Sequence, residues 1–141
     1  MRPDGSGAVQ ITKRGGEGAT ESSDGRLLYY HKSVSMVYGA AIELWRIPAE
    51  GGREERLVGS HQSPTAAFAV VDEGIYFVSS AKSNPIQFLR FGDRRLETVY
   101  TPSHGAAFGI TVWPRTRGSL RTIVYSETHG GSDLMLIENL R

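Results

Sequence analysis

The sequence predicts an all-β fold made of repeated antiparallel sheets, and three observations lead to this prediction. Short apolar runs recur in two sets at intervals of 44 to 48 residues: 28–30, 75–77 and 123–125, then 44–47, 88–91 and 134–137. Glycine-rich turns separate these runs, as tight hairpins require. No segment keeps a helical period, because Gly39 and poor helix formers interrupt the best candidate at 35–45. That stretch is therefore expected to be a loop leading into a strand.

A repeat of roughly 40–50 residues built from short strands is typical of a β-propeller blade. We expect one partial propeller domain over residues 1–141, with four-stranded antiparallel blades at 17–59, 60–102 and 103–141. The predicted strands are 19–23, 27–31, 42–47, 54–58, 65–71, 75–80, 86–91, 96–100, 106–113, 122–127 and 133–138. Hairpins are expected where an acidic residue precedes or follows glycine, as in Asp24-Gly25 and Gly92-Asp93.

The third unit lacks a fourth strand after residue 138, and residues 8–13 are expected to supply it as a staggered outer strand. Asp4-Gly5 followed by Val9–Thr12 repeats Glu50-Gly51 followed by Glu55–Val58 at a spacing of 46 residues. About 4 to 8 blades close a ring, and an open stack would leave apolar faces in water. We therefore expect either a piece of a longer propeller or a homodimer that closes a six-bladed ring.

Particular residues give this pattern a resemblance to a known family. Ile11-Thr12 and Gly15-Gly16 precede Ser22–Arg26, and Leu44–Pro48 precedes Gly51-Gly52. This order resembles the PD40, or WD40-like, repeat of TolB-type β-propellers, with Ser23 where the family usually has proline. The ending Gly131–Asn139 resembles the last blade of bacterial regulators that carry an N-terminal winged-helix domain.

The resemblance implies a propeller fold and suggests the C-terminal part of a larger TolB-like protein. It implies little about function, because propellers host many activities. TolB-like propellers often lie in the cell envelope, so the periplasm and the cytoplasm both stay open.

Composition excludes several classes of partner. The chain has 16 basic and 15 acidic residues, a net charge of +1 and no cysteine. This balance predicts no nucleic-acid binding by this segment, and Arg94-Arg95 is expected to lie in a solvated hairpin. No run approaches the roughly 20 apolar residues that span a bilayer, so no membrane insertion is expected. The polar residues 1–7 lack the apolar stretch of a secretion signal.

Histidines give the first candidate site. His61 and His104 each come just before a predicted inner strand, and Glu17 lies near the matching place in the first unit. We expect these loops near the channel mouth and name the three residues as ligand or partner contacts. The alternative is that they are surface loop residues that recur with the repeat. His31 and His129 have no partner at metal-like spacing, so neither a metal site nor another cofactor is expected.

Other candidates are fewer. Glu21 is the only acid expected on an inner strand facing the channel, and a glycosidase needs two carboxylates. Asp24, Asp72 and Asp93 are interpreted as turn formers, and no Gly-x-Ser-x-Gly nucleophile motif occurs. Met36 and Tyr38 lie in the long loop of the first unit and do not repeat, so they are candidates for partner contact.

These observations predict a non-catalytic binding module, with no catalytic residues, that contacts a protein partner or the remaining blades of a propeller. The alternative is a propeller hydrolase or lyase, or the substrate-gating domain of a peptidase. A third interpretation is purely structural, with two copies assembling into one ring.

Overall fold

A computed structural model describes residues 7–34, 41–60, 64–104, 106–114, 118, 120–128 and 131–140. Every regular element among these residues is a β-strand, which confirms the predicted all-β class. The strands form three antiparallel sheets of four, four and three strands. Within the described part of the chain these sheets do not close a ring, and no helix there could span a membrane.

Sheet 1 has the strand order β1-β2-β3-β4. Its strands are β1 (Glu17–Glu21), β2 (Leu27–Ser33), β3 (Ile42–Pro48) and β4 (Glu55–Val58). The predicted first strand, 19–23, is wrong by two residues because Ser22 belongs to the turn. The Ser22 amide bonds to the Leu27 carbonyl, and Ser22 Oγ donates to Asp24 Oδ1 at 2.7 Å. Asp24 also accepts from the Arg26 amide at 3.0 Å, which confirms its turn-forming role.

Sheet 2 repeats this order with tighter turns. Its strands are β5 (Pro64–Val71), β6 (Gly74–Ser79), β7 (Ile86–Arg90) and β8 (Leu96–Tyr100). Gly74 must be glycine, because a Cβ there would lie 2.3 Å from the Leu89 carbonyl oxygen. All six residues of β6 are buried, so this strand is covered on both faces.

Sheet 3 contains β9 (Ala106–Trp113), β10 (Arg121–Thr128) and β11 (Ser132–Leu140), in the order β11-β10-β9. Residues 8–13, the expected fourth strand of sheet 3, form no strand in this single chain. The chain just after them lies against sheet 1 instead. A Cβ on Gly16 would lie 2.9 Å from the Tyr30 ring and 3.4 Å from Thr12. The outer edge of β11 therefore has no strand partner among the described residues.

The sheets stack face to face in the order 1-2-3. One apolar cluster joins sheet 1 to sheet 2 through Tyr29, Leu44, Ile75 and Phe77, among others. A second cluster joins sheet 2 to sheet 3, and its members include Tyr76, Val78, Phe88, Ile123 and Tyr125. Repeat-equivalent aromatic residues thus pack between neighbouring sheets.

All three sheets face the same way along the stack. Because side chains alternate along a strand, Tyr29, Tyr76 and Val124 point forward, toward the next sheet in chain order. Tyr30, Phe77 and Tyr125 point backward. We call these the forward and rear faces. The forward face of sheet 1 packs on the rear face of sheet 2, and the same relation joins sheet 2 to sheet 3.

Candidate functional site

The end of the stack where inner strands begin and second strands end carries the predicted polar residues. Glu17 opens β1, and His104 lies two residues before β9. The last residues of β2 and β10 lie at the same end, because each second strand runs antiparallel to its inner strand. We call this end of the molecule the corner end.

In sheet 1, Glu17 meets a histidine of the adjacent strand. His31 Nε2 lies 3.5 Å from Glu17 Oε2, and Glu17 and His31 are register partners. The imidazole is largely buried and packs edge-on against Phe68 of sheet 2. Gly18 makes room for it with φ +61°, because a Cβ at this position would lie 2.9 Å from His31 Nδ1. Glu17 and His31 together form corner 1.

In sheet 3, His104 meets a buried carboxylate. Its amide donates to Glu127 Oε1 at 2.7 Å, and its Nδ1 lies 3.4 Å from the same oxygen. Ser103 Oγ is 3.3 Å from Glu127 Oε1 and 3.0 Å from His104 Nδ1. The hydroxyl of Tyr125 approaches Glu127 Oε2 at 3.4 Å. Ser103, His104 and Glu127 form corner 3.

Hydrogen bonds hold the Glu127 carboxylate in place and favour its charged form. The bond from the His104 amide, supported by Ser103, holds the pKa of Glu127 below its ordinary value despite the cost of burial. Burial raises the pKa of the neighbouring Tyr125 hydroxyl, and Tyr100 and Glu127 add to the rise. Glu127 therefore anchors the segment that precedes β9.

The two corners lie at the same end of the stack but on opposite faces of their sheets. His31 points forward, toward Phe68 of sheet 2, whereas Glu127 shares the rear face of sheet 3 with Tyr125. Positions 31, 79 and 127 are spaced 48 residues apart, and His31, Ser79 and Glu127 are all buried near the ends of second strands. In corner 1 the histidine lies on the second strand and the carboxylate lies at the start of the inner strand. In corner 3 the carboxylate lies on the second strand and the histidine precedes the inner strand. His31 and Glu127 were not predicted as partners from the sequence. The available signal was a polar residue near the end of each otherwise apolar second strand.

The remaining predicted residues divide into two groups. Glu21 lies at the far end of β1 from Glu17, opposite Leu28 in the register, so it does not join the corner end. Such a five-residue strand separates its ends by about 13 Å. His61, Met36 and Tyr38 lie outside the described residues.

The geometry of corner 3 does not form a Ser–His–Glu relay. A relay uses both imidazole nitrogens, one facing the nucleophile and the other facing the carboxylate. Here Ser103 Oγ and Glu127 Oε1 both approach Nδ1. Across the described part of the chain, no group of three or more His, Asp or Glu side chains could hold a metal ion.

A cleft lies at the opposite end, between sheets 1 and 2, with a volume of about 360 Å³. Ser23 Oγ bridges it by donating to Asp72 Oδ1 at 2.5 Å. The rings of Tyr29 and Phe91 stack beneath it, with centroids 5.5 Å apart. The Arg46 guanidinium lies 5.6 Å from the Phe91 centroid and pairs with Glu55 at 2.7 Å. The polar groups of this cleft therefore largely satisfy one another.

Comparison with known proteins adds no assignment, because no described protein family and no curated protein matches the sequence.

Proposed function

We propose that the three sheets are consecutive blades of a β-propeller and that the chain is a non-catalytic interaction module. The blade proposal is supported by the common forward direction of the sheets and by the equivalence of residues at matching repeat positions. Tyr29 and Tyr76 both point forward, and Tyr30, Phe77 and Tyr125 all point backward. Sheets related in this way suit a radial arrangement about an axis. A larger TolB-like parent protein stays a prediction from the sequence.

We further propose that the module binds a protein segment at the corner end. The observation that carries this proposal is that sheets 1 and 3 each have a histidine–carboxylate contact at this same end of the stack. One contact ties the first residue of β1 to β2, and the other ties the segment that precedes β9 to β10. Binding to an already ordered segment costs less conformational entropy. Glu17 and His104 keep 71% and 50% of their side chains exposed, so they are accessible to a partner.

The charge pattern favours a mixed polar segment as the partner. Corner 1 exposes a carboxylate, whereas corner 3 exposes an imidazole. With a net charge of +1, the chain offers no field of one sign that would attract nucleic acid. A peptide that carries both an acidic and a basic side chain would complement this end.

A displayed library of random peptides, selected on the purified chain, tests the proposal. We expect selected peptides to shift the amide resonances of Glu17, Ser33, Ser103 and His104. Glu127→Gln should weaken their binding, because it releases the segment that precedes β9. Asp93→Asn, in a turn at the opposite end, is the matched control and should leave binding unchanged. Failure to select any binder, or shifts confined to the turns at 22–25 and 92–95, would contradict the proposal.

A further inference from the structure

We propose that β11 and the forward face of sheet 3 bind a second copy of this chain, whose residues 9–12 add a fourth strand to sheet 3. This inference rests on the blade arrangement proposed above. It concerns a different surface from the corner end and assigns a role to residues that form no strand in the single chain.

The forward face of sheet 3 is the first observation. Leu134 and Leu136 are 80% and 57% exposed, and Trp113 on the same face is 75% exposed. Trp113 lies opposite Thr122, and Leu136 lies opposite Val124, so all four residues share this face. The equivalent faces of sheets 1 and 2 are covered by the next sheet. The repeat therefore indicates that the missing cover is the rear face of another such sheet.

The free edge of β11 is the second observation. In sheets 1 and 2 the third strand pairs with a fourth, β4 or β8. Among the residues that the structure describes, sheet 3 has no such strand, so the outer backbone groups of β11 offer an open edge. An edge of this kind is where an added strand pairs.

Residues 9–12 have the sequence that this edge needs. They match 55–58 at a spacing of 46, and Val9 is 75% exposed. Transferring the β3–β4 register to sheet 3 places Val9 opposite Leu136, Gln10 opposite Met135 and Thr12 opposite Leu134.

Residues 9–12 cannot reach β11 of their own chain. Sheet 2 stands between sheet 1 and sheet 3, and packed sheets lie about 10 Å apart, so the gap is about 20 Å. The connecting residues 13–16 span at most about 14 Å, and Gly16 is held against Tyr30. We therefore assign the donor strand to another copy, whose sheet 1 then stacks its rear face on the exposed face of sheet 3.

Two such contacts, made head to tail, close a ring of six sheets, within the usual range of about 4 to 8 blades. In forming it, each copy moves residues 9–12 onto the partner's β11. The rear face of sheet 1, with Tyr30 and Ile47 at its centre, then packs on the apolar face that holds Leu134 and Leu136.

Sedimentation velocity and light scattering on the full chain test the association. We expect a species of twice the 15.4 kDa chain mass. A donor variant, Gln10→Pro with Ile11→Pro, should halve that mass. In a paired strand, one of any two adjacent backbone amides donates to the neighbouring strand, and proline has no N–H to donate. An acceptor variant, Leu134→Lys with Leu136→Lys, should do the same. Thr98→Lys, at an exposed residue on the outer strand of the middle sheet, is the matched control and should stay dimeric.

Mixing the two defective variants gives the sharpest result. The donor variant keeps an intact β11, and the acceptor variant keeps an intact 9–12 segment, so an equal mixture should regain the doubled mass. An unspecific apolar contact would not show this rescue. Circular dichroism of each variant checks that the sheets remain folded.

A disulfide test fixes the register, because the chain has no cysteine of its own. Gln10→Cys mixed with Met135→Cys should form a cross-linked dimer on oxidation, whereas Gln10→Cys mixed with Leu134→Cys should not. A monomeric wild-type chain, a dimer that survives the donor variant, or assemblies larger than two copies would overturn the inference. Peptide binding at the corner end is measured separately, so the two proposals can fail independently.

Discussion

The two junctions between sheets have the same apolar design but different polar contacts. Between sheets 1 and 2, the polar contacts include the Ser23–Asp72 hydrogen bond at the open cleft. They also include the half-exposed Arg94, which pairs with Glu55 and donates to the Leu57 carbonyl. Between sheets 2 and 3, Arg121 pairs with Glu73 with only 7% of the arginine side chain exposed, beside a cavity of about 140 Å³. The apolar contacts therefore recur at matching repeat positions, whereas the polar contacts differ between the two junctions.

The largest expected effect comes from breaking the buried ion pair of the second junction. Arg121→Ala should lower the free energy of unfolding by about 3 kcal/mol, because it leaves the Glu73 carboxylate partly buried without its cation. Chemical denaturation measures this difference. The double variant Glu73→Gln with Arg121→Met should recover much of the loss, since both charges are then gone. A double variant as unstable as Arg121→Ala would contradict this explanation.

Corner 3 should give the next effect, and that effect should depend on pH. The pKa of Glu127 is lowered in the folded state, so its stabilising contribution is fully present above the unfolded-state pKa of about 4.3. It is lost as the pH falls through the lower folded-state value. Thermal unfolding from pH 7 to pH 3 should show Glu127→Gln less stable at pH 7 and equal to wild type at the acid end. A difference in stability between the two proteins that does not change with pH would show that the charge of Glu127 does not stabilise the fold.

Matched core substitutions test whether the apolar parts of the junctions are equivalent. Ile75 and Ile123 occupy the same repeat position and are fully buried on the rear faces of sheets 2 and 3. Ile75→Val and Ile123→Val should each cost about 1 kcal/mol in unfolding free energy. Urea titrations of both variants check this. Costs that differ by more than twofold would mean that the two junctions are packed unequally.

The smallest effect is expected at the first junction. Ser23→Ala removes the hydrogen bond to Asp72 at the mouth of the open cleft, where water can replace the hydroxyl. The expected loss is about 0.5 kcal/mol, measured by the same urea titrations. A loss near that of Arg121→Ala would remove the contrast between the junctions.

The sequence predicted most strands because turn chemistry and apolar alternation are local properties. Asp24-Gly25 and Gly92-Asp93 placed two hairpins, and the apolar runs placed β2, β6 and β10. The strand predicted at 8–13 is not formed in the single chain, where these residues have no sheet partner. The same residues can pair with a sheet edge or stay unpaired. That choice depends on which surfaces are within reach, and local sequence does not encode it.

The candidate site was predicted only in part. Glu17 and His104 were named from their places before inner strands, but their partners were not. The Arg121–Glu73 pair was also missed, because residues 48 apart meet only once two sheets are stacked. Arg121 lies just outside the predicted strand 122–127, whereas in the structure it is a buried residue at the start of β10.

The reversed charge order of the two corners limits how this chain could be recombined. If repeats were shuffled, a unit with His31 on its strand would need a carboxylate in the segment before it. A unit with Glu127 would need the imidazole of His104 there. Joining the leading segment of one to the strands of the other would leave His31 without its carboxylate and Glu127 without the His104 amide. A chimera should therefore be cut upstream of these leading residues.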